Sequence, residues 1–314
     1  MHHPHIAILA AVLLALAPAA CGDGNGTDTD AATDTGGADG YPAGMPNIAV
    51  DDYVWTGCDD LPPNGSATDE MVSAVFVVED FEKSFAVEGV QLEIFYNNDA
   101  SGTPDLDSTN LDLTDADGRV TALVPRDRLI AYKVVGGETP LYPPGVVKTS
   151  IEYSQPTPDV EGGEIDAIAV SQATYQLITT VLGITPDPTM GILAGGFDDC
   201  AVQDIEGIVA RLYNGDGTRC MGENRCLDRY FIDETPAQDQ WWSSADGLFG
   251  VMQIPPADDY DLELHGIIPD SGCPGDMVRV GERSDIRIIA NAITILDFTS
   301  TDLDGGAWTE LCVW

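Results

Sequence analysis

The feature that most constrains this chain is an internal repeat. Val87-Glu-Gly-Val-Gln-Leu-Glu-Ile-Phe-Tyr96 is followed by Thr114-Asp-Ala-Asp-Gly-Arg-Val-Thr-Ala-Leu-Val-Pro125. Ile205-Glu-Gly-Ile-Val-Ala-Arg-Leu-Tyr213 is followed by Ser244-Ala-Asp-Gly-Leu-Phe-Gly-Val-Met-Gln-Ile-Pro-Pro256. Each copy joins a strand led by glycine to an Asp-Gly turn that opens another strand. Glycine enters positive φ without penalty, so the turn position is dictated by backbone geometry. Each copy therefore reads as the centre of one small β-sandwich. The expected fold is mainly β: two tandem antiparallel sandwiches joined by a segment with one short helix.

The rest of the pattern agrees. Val72–Glu79 reads as a strand buried on both faces, and Val90, Leu92, Ile94 and Tyr96 alternate with Gln91, Glu93 and Phe95 in a half-buried strand. Leu129–Val135 and Val146–Tyr153 complete a series of short strands punctuated by turns, the signal of a sandwich. Ser171 as N-cap and Gly183 as stop bracket a helix over 171–182, with Tyr175, Ile178 and Leu182 on one face. Further strands follow at Gly191–Phe197, Ile208–Tyr213, Gly247–Ile254, Tyr260–Leu264, Ile286–Ala290 and Ile293–Phe298. The expected boundaries are 47–158 for the first sandwich, 159–187 for the connection, and 188–314 for the second. The second sandwich carries an insertion at 214–243.

Residues 1–20 read as an export signal, because Ile6–Leu16 is apolar but short for a bilayer span. Ala17, Ala19 and Ala20 then precede Cys21. This resembles a bacterial lipoprotein signal, which implies that Cys21 is lipidated and tethers the chain to a membrane. The alternative is ordinary cleavage after Ala17-Pro18-Ala19. Residues 21–46 form an acidic linker with almost no large apolar side chain, too poor in burial to offset its ordering entropy. Gly22 stands where an inner-membrane retention signal has Asp, which points to the outer membrane.

The two repeats together resemble carboxypeptidase regulatory-like domains, which are transthyretin/Ig-like sandwiches. Gly89 and Gly207 match the family's strand-leading glycine, and Asp117-Gly118 and Asp246-Gly247 match its turn. Pro255-Pro256 and Tyr260 match part of its closing motif, of which the first copy keeps only Pro125. The resemblance implies an accessory binding or envelope-structural role without enzymatic activity.

Charge and residue types narrow the chemistry. Thirteen basic side chains face 53 acidic ones, a net charge of -40, which excludes nucleic acid as a partner. Apart from His2, His3 and His5 in the leader, the only histidine is His265, read as a surface or rim residue. That excludes zinc sites built on several histidines. With Cys21 assigned to lipid, Cys58, Cys200, Cys220, Cys226, Cys273 and Cys312 are disulfide candidates in an exported chain. Cys220 with Cys226 closes a local loop, and Cys200–Cys273 with Cys58–Cys312 is one pairing of the remainder. Asp105, Asp107, Asp115 and Asp117 are candidate calcium ligands, although turn chemistry explains the same residues without metal. Tyr230, Phe231, Trp241 and Trp242 form a candidate binding face for a protein or carbohydrate partner, or a plug for the open sandwich end. Two further functions remain open: a carbohydrate-active enzyme using paired carboxylates, and a calcium-dependent adhesin.

Overall fold

A computed structural model describes residues 41–55, 62–139, 145–201, 203–222, 225–232, 235–237, 239–299 and 312–313. The first lobe contains β1 (Met71–Asp80), β2 (Gln91–Phe95), β3 (Arg119–Pro125), β4 (Leu129–Val135), β5 (Gly137–Thr139), β6 (Gly145–Val147), β7 (Thr149–Pro156) and β8 (Gly163–Ala169). After α1 (Gln172–Val181), the second lobe contains β9 (Gly191–Asp198), β10 (Val209–Tyr213), β11 (Leu227–Ile232), β12 (Thr235–Ala237), β13 (Phe249–Ile254), β14 (Ala257–Ile267), β15 (Met277–Ile288) and β16 (Ala292–Thr299). The protein is mainly β, as the turn spacing requires.

The lobes repeat one strand topology. In lobe one, β1 pairs antiparallel with β3 and parallel with β8, while β4 lies between β2 and β7. In lobe two, β9 pairs antiparallel with β13 and parallel with β16, while β14 lies between β10 and β15. The hydrogen bonds repeat as well. Val78 N donates to Gly118 O at 2.8 Å, as Phe197 N donates to Gly247 O at 3.1 Å. Gly89 N donates to Thr114 O and Gly207 N to Ser243 O, each at 2.9 Å. Gly89, Gly118, Gly207 and Gly247 all take positive φ, at 78°, 71°, 85° and 61°. A Cβ on Gly118 would stand 2.5 Å from Val78 O, and one on Gly247 2.8 Å from Phe197 O, so the turn position admits only glycine.

A buried hydroxyl locks each copy. Thr114 Oγ1 donates to Val87 O at 2.7 Å and accepts from Val90 N at 2.8 Å. Ser243 Oγ donates to Ile205 O at 2.8 Å and accepts from Ile208 N at 2.9 Å. Both side chains span the glycine-led bend and satisfy backbone groups that no strand reaches.

Tandem sandwiches here are not separate beads. β16 of lobe two pairs parallel with β7 of lobe one, giving one eight-stranded sheet in the order β12-β11-β13-β9-β16-β7-β4-β2. The sheet β3-β1-β8 covers one face of its first-lobe half around Phe76, Leu92, Ile94, Val124 and Ile130. Helix α1 covers the same face further along, with Tyr175 and Leu182 against Ile192, Met252, Ile293 and Ile295. The sheet β10-β14-β15 covers the opposite face, from Phe249 and Leu193 across to Ile151 and Ala131 of lobe one. Arg283 donates to Asn98 O at 3.1 Å, and Lys148 Nζ donates to Asn291 Oδ1 at 2.5 Å, so polar ties also cross the joint.

Several sequence expectations need correction. Residues 163–169, assigned to the connection, form β8 and complete lobe one. Tyr41 and Met45, assigned to the linker, pack on lobe two, and Ile48 and Trp55, assigned to the first sandwich, lie in its core. β1 is buried on one face only: Ala74, Phe76 and Val78 are fully covered, whereas Ser73, Val75 and Val77 are half-buried. β15 begins at Met277, nine residues before the expected Ile286, because Arg279, Glu282, Arg283 and Asp285 mask its strand pattern. The helix matches its signals: Ser171 Oγ accepts from Thr174 N at 3.0 Å, and Gly183 at φ 67° ends it.

Candidate functional site

A cluster of buried and half-buried ionisable groups lies on the outer face of β10-β14-β15. Along β14, Tyr260, Leu262 and Leu264 point into the core, which sends Glu263 and His265 outward. Register sets Val209 and Arg279 beside His265, and Arg211 beside Glu263. The N-terminal segment then closes over this face. Ile48 N donates to Ile267 O at 2.8 Å, and the close approach is possible because Gly266 has no side chain to meet Ile48. Met45 packs with Val209 and Met277, flanked by Tyr41, Trp242 and Val313.

His265 is therefore 0% exposed, not the rim residue expected, because the covering segment comes from 224 positions away in sequence. Tyr41 Oη donates to His265 Nδ1 at 2.7 Å, and His265 Nε2 donates to Glu263 Oε2 at 2.9 Å. These partners fix the neutral Nε2–H tautomer. Burial holds the imidazole below its ordinary value, opposed by Glu263 and aided by Arg211 and Arg279. The bond from His265 and the charge of Arg279 hold the Glu263 carboxyl low. Burial pushes the Tyr41 phenol up to about 12, so it stays a donor. Arg211, 5% exposed, lies under the Tyr41 ring at 5.0 Å and reaches Asp228 Oδ2 at 3.1 Å. Arg219 meets the same carboxylate at 3.5 Å, and Arg279 meets Glu263 Oε1 at 3.3 Å.

Hydroxyl, imidazole and carboxylate thus stand in a line, the order of a proton relay. The hydroxyl here is a phenol held protonated and packed onto the sheet. The arrangement fastens a segment of chain.

The residues singled out from sequence are not brought together. Tyr230 is 1% exposed in the core, where its Oη accepts from Ala210 N at 2.9 Å, and Phe231 is buried beside it in sequence. Trp242 packs against the face that Met45 covers, and Trp241 is 44% exposed. Only Trp241 of the four offers an open surface, because β11 carries Tyr230 and Phe231 into the eight-stranded sheet.

Three of the four candidate calcium ligands, Asp105, Asp107 and Asp115, spend a carboxylate oxygen on a local turn, and Asp117 joins one through its backbone amide. Asp105 Oδ2 accepts from Tyr96 N at 2.8 Å, and Asp107 Oδ1 accepts from Thr109 N at 2.8 Å. Asp115 Oδ1 accepts from Asp117 N and Arg119 N, each at 2.9 Å. Among the described residues, no three His, Cys, Asp or Glu side chains are placed to hold a metal ion.

Cys220 is bonded to Cys226, as expected, and Cys273 to Cys312, so the Cys200–Cys273 and Cys58–Cys312 pairings are both incorrect. The C-terminal segment returns along β15, where Val313 N donates to Met277 O at 3.3 Å, and this places Cys312 beside Cys273. Cys200 is disulfide-bonded to a partner outside the described residues. Cys21 and Cys58 also lie outside them.

A shallow recess of about 10 Å³, room for about one water, lies on the opposite face of the eight-stranded sheet under α1, lined by Tyr175, Ile184, Met190, Ile192 and Met252. Its one carboxylate, Asp187, is held low by the Thr189 hydroxyl and amide. No helix among the described residues is long and apolar enough to cross a membrane.

No protein-family model matches the chain, and no curated protein matches it. The Bacillus anthracis TIE protein overlaps 74% of this chain at 13% identity and a TM-score of 0.24, and the chain covers only 34% of that structure. GBS52, the minor pilin of Streptococcus agalactiae, overlaps 74% of this chain and 96% of its own at 15% identity, with a TM-score of 0.23. BcpA, the major pilin subunit of Bacillus cereus, overlaps 74% and 100% at 8% identity, again with a TM-score of 0.23. Overlaps this loose carry no function across to this chain; its β-sandwich character rests on its own strands.

Proposed function

We propose that this is an exported, membrane-tethered protein whose two-lobed body serves a structural or binding role and not a catalytic one. Cys21 carries the lipid, and Tyr41, twenty residues on, seats on lobe two. The observation that carries this reading is the set of disulfide-bonded cysteines, Cys200, Cys220, Cys226, Cys273 and Cys312, which belong to an oxidising compartment. The sheet running through both lobes supports a rigid presenting role, since bending at the joint would break β16–β7 pairing. Three edge strands are also interrupted for further pairing. Ala210 N on β10 is capped by Tyr230 Oη, Leu123 O on β3 by Tyr96 Oη, and β12 carries Pro236. A protein or carbohydrate partner would then meet side chains, with Trp241 the exposed aromatic.

Metabolic labelling with a clickable fatty acid tests the tether. The wild-type chain is expected to take the label and sediment with outer-membrane vesicles. Cys21→Ser is expected to lose the label and leave the membrane fraction. An unlabelled wild type would overturn the reading. For the binding face, Trp241→Ala is expected to lower recovery of partners from envelope extracts.

A further inference from the structure

We propose that Tyr41, His265 and Glu263 form an acid-released clasp that seats the end of the N-terminal segment on the outer face of β10-β14-β15. The clasp belongs to the folded chain itself; only its consequence, a longer reach from the membrane, rests on the tether reading above.

The geometry is specific. Two hydrogen bonds of 2.7 and 2.9 Å run from Tyr41 through His265 to Glu263, and the imidazole between them is wholly buried. Adding a proton at Nδ1 removes the lone pair that accepts from Tyr41, so the phenol has to turn and accept instead, and it places a cation in a fully buried site beside Arg211 and Arg279. The groups that face the ring come from every element packed on it. Tyr41 lies on the covering segment, Arg211 and Tyr213 on β10, Glu263 on β14 and Arg279 on β15. Arg219 and Asp228 stand behind Arg211. Glu263 alone favours the imidazolium, while Arg211 and Arg279 oppose it. Burial is the largest influence and also opposes it.

The sign follows. The folded value lies below the ordinary 6.5, so the clasp is at full strength above 6.5 and weakens as pH falls below it. Release stops at Ile48, whose backbone bond to Ile267 and place in the core involve no titrating group. The freed stretch, 41–46, would uncover Met45, Val209 and Met277 together with Arg211.

Hydroxyl-radical footprinting of the full chain at pH 7.5 and 5.5 tests the clasp, with Tyr41 and Met45 as reporters and Trp55 and Phe249 as core controls. Wild type is expected to gain several-fold labelling at Tyr41 and Met45 at pH 5.5, with the controls unchanged. The gain follows from about tenfold per unit of pKa displacement. His265→Gln, neutral at both pH values, is expected to lose the pH step. Tyr41→Phe, read at Met45, is expected to be open already at pH 7.5. A flat wild-type profile, the same step in His265→Gln, or labelling of the core controls at pH 5.5 would each overturn the proposal. So would a Tyr41→Phe chain that stays closed at pH 7.5. None of these readings depends on Cys21.

Discussion

The two lobes share a backbone plan down to single hydrogen bonds, yet they cover their outer faces differently. In lobe two, Ile192, Met252, Ile293 and Ile295 lie under α1 on one side, and the N-terminal segment covers Val209 and His265 on the other. In lobe one, the face corresponding to the helix-covered one is open. Ser73, Val75 and Val77 are half-buried there and Leu123 is 53% exposed. The difference teaches that the repeat specifies pairing and bends, while side chains on the second face record what covers them. Under its N-terminal cover, lobe two buries Arg211 and His265 on an outer face.

That comparison can be broken most severely through covalent links. Cys273 and Cys312 are 39 positions apart, so Cys273→Ser with Cys312→Ser is expected to cost about 4 kcal/mol from loop entropy. Removing Cys220–Cys226, 6 positions apart, is expected to cost about 2 kcal/mol. Urea midpoints give both values, and equal losses would reject the loop-length account.

A somewhat smaller effect tests equivalent strand positions. By the pairing above, Phe76 in lobe one corresponds to Gly195 in lobe two. Phe76→Ala leaves a cavity and is expected to cost about 3 kcal/mol or more. Gly195→Ala drives a methyl into Leu296 O and the Phe249 ring, with about 2–3 kcal/mol lost to overpacking. One position thus fails by emptying and its counterpart by filling; thermal scans of both variants reveal whether either is tolerated.

The hydroxyl locks sharpen the comparison. Thr114→Val and Ser243→Ala each strand a buried donor and acceptor, and each is expected to cost about 2 kcal/mol. Matching losses in chemical denaturation would show that the duplication extends to energetics, and a neutral result at one site would limit it to geometry.

The smallest effect concerns exposed turns. Asp107 in lobe one and Asp216 in lobe two are both held below the ordinary 3.8 by a threonine two residues on. Their contribution is present above 3.8 and fades as pH falls through the lowered values. Thr109→Val and Thr218→Val are expected to raise each carboxyl toward its ordinary value in an NMR titration.

Much of this was legible in residues. Gly89, Gly118, Gly207 and Gly247 announce their bends, because positive φ selects glycine whatever surrounds it. Ser171 and Gly183 announce the helix ends for similar local reasons. The locks at Thr114 and Ser243 carried a faint signal, a hydroxyl residue at the same place in each copy. The candidate site was not legible. Nothing near His265 in sequence implies burial, since Tyr41 and Met45 reach it only after the chain has folded across lobe two. Tyr230 read as a binding aromatic because its partner, Ala210 N, lies 20 residues away on another strand.

Local backbone rules therefore gave the duplicated β units, their turns and the single helix from sequence alone, since φ preference and side-chain alternation act over a few residues. Tertiary structure alone decided that β16 joins β7, that Cys273 meets Cys312, and that His265 is sealed beneath Tyr41. Those depend on which distant surfaces exclude water together, and that choice belongs to the whole chain.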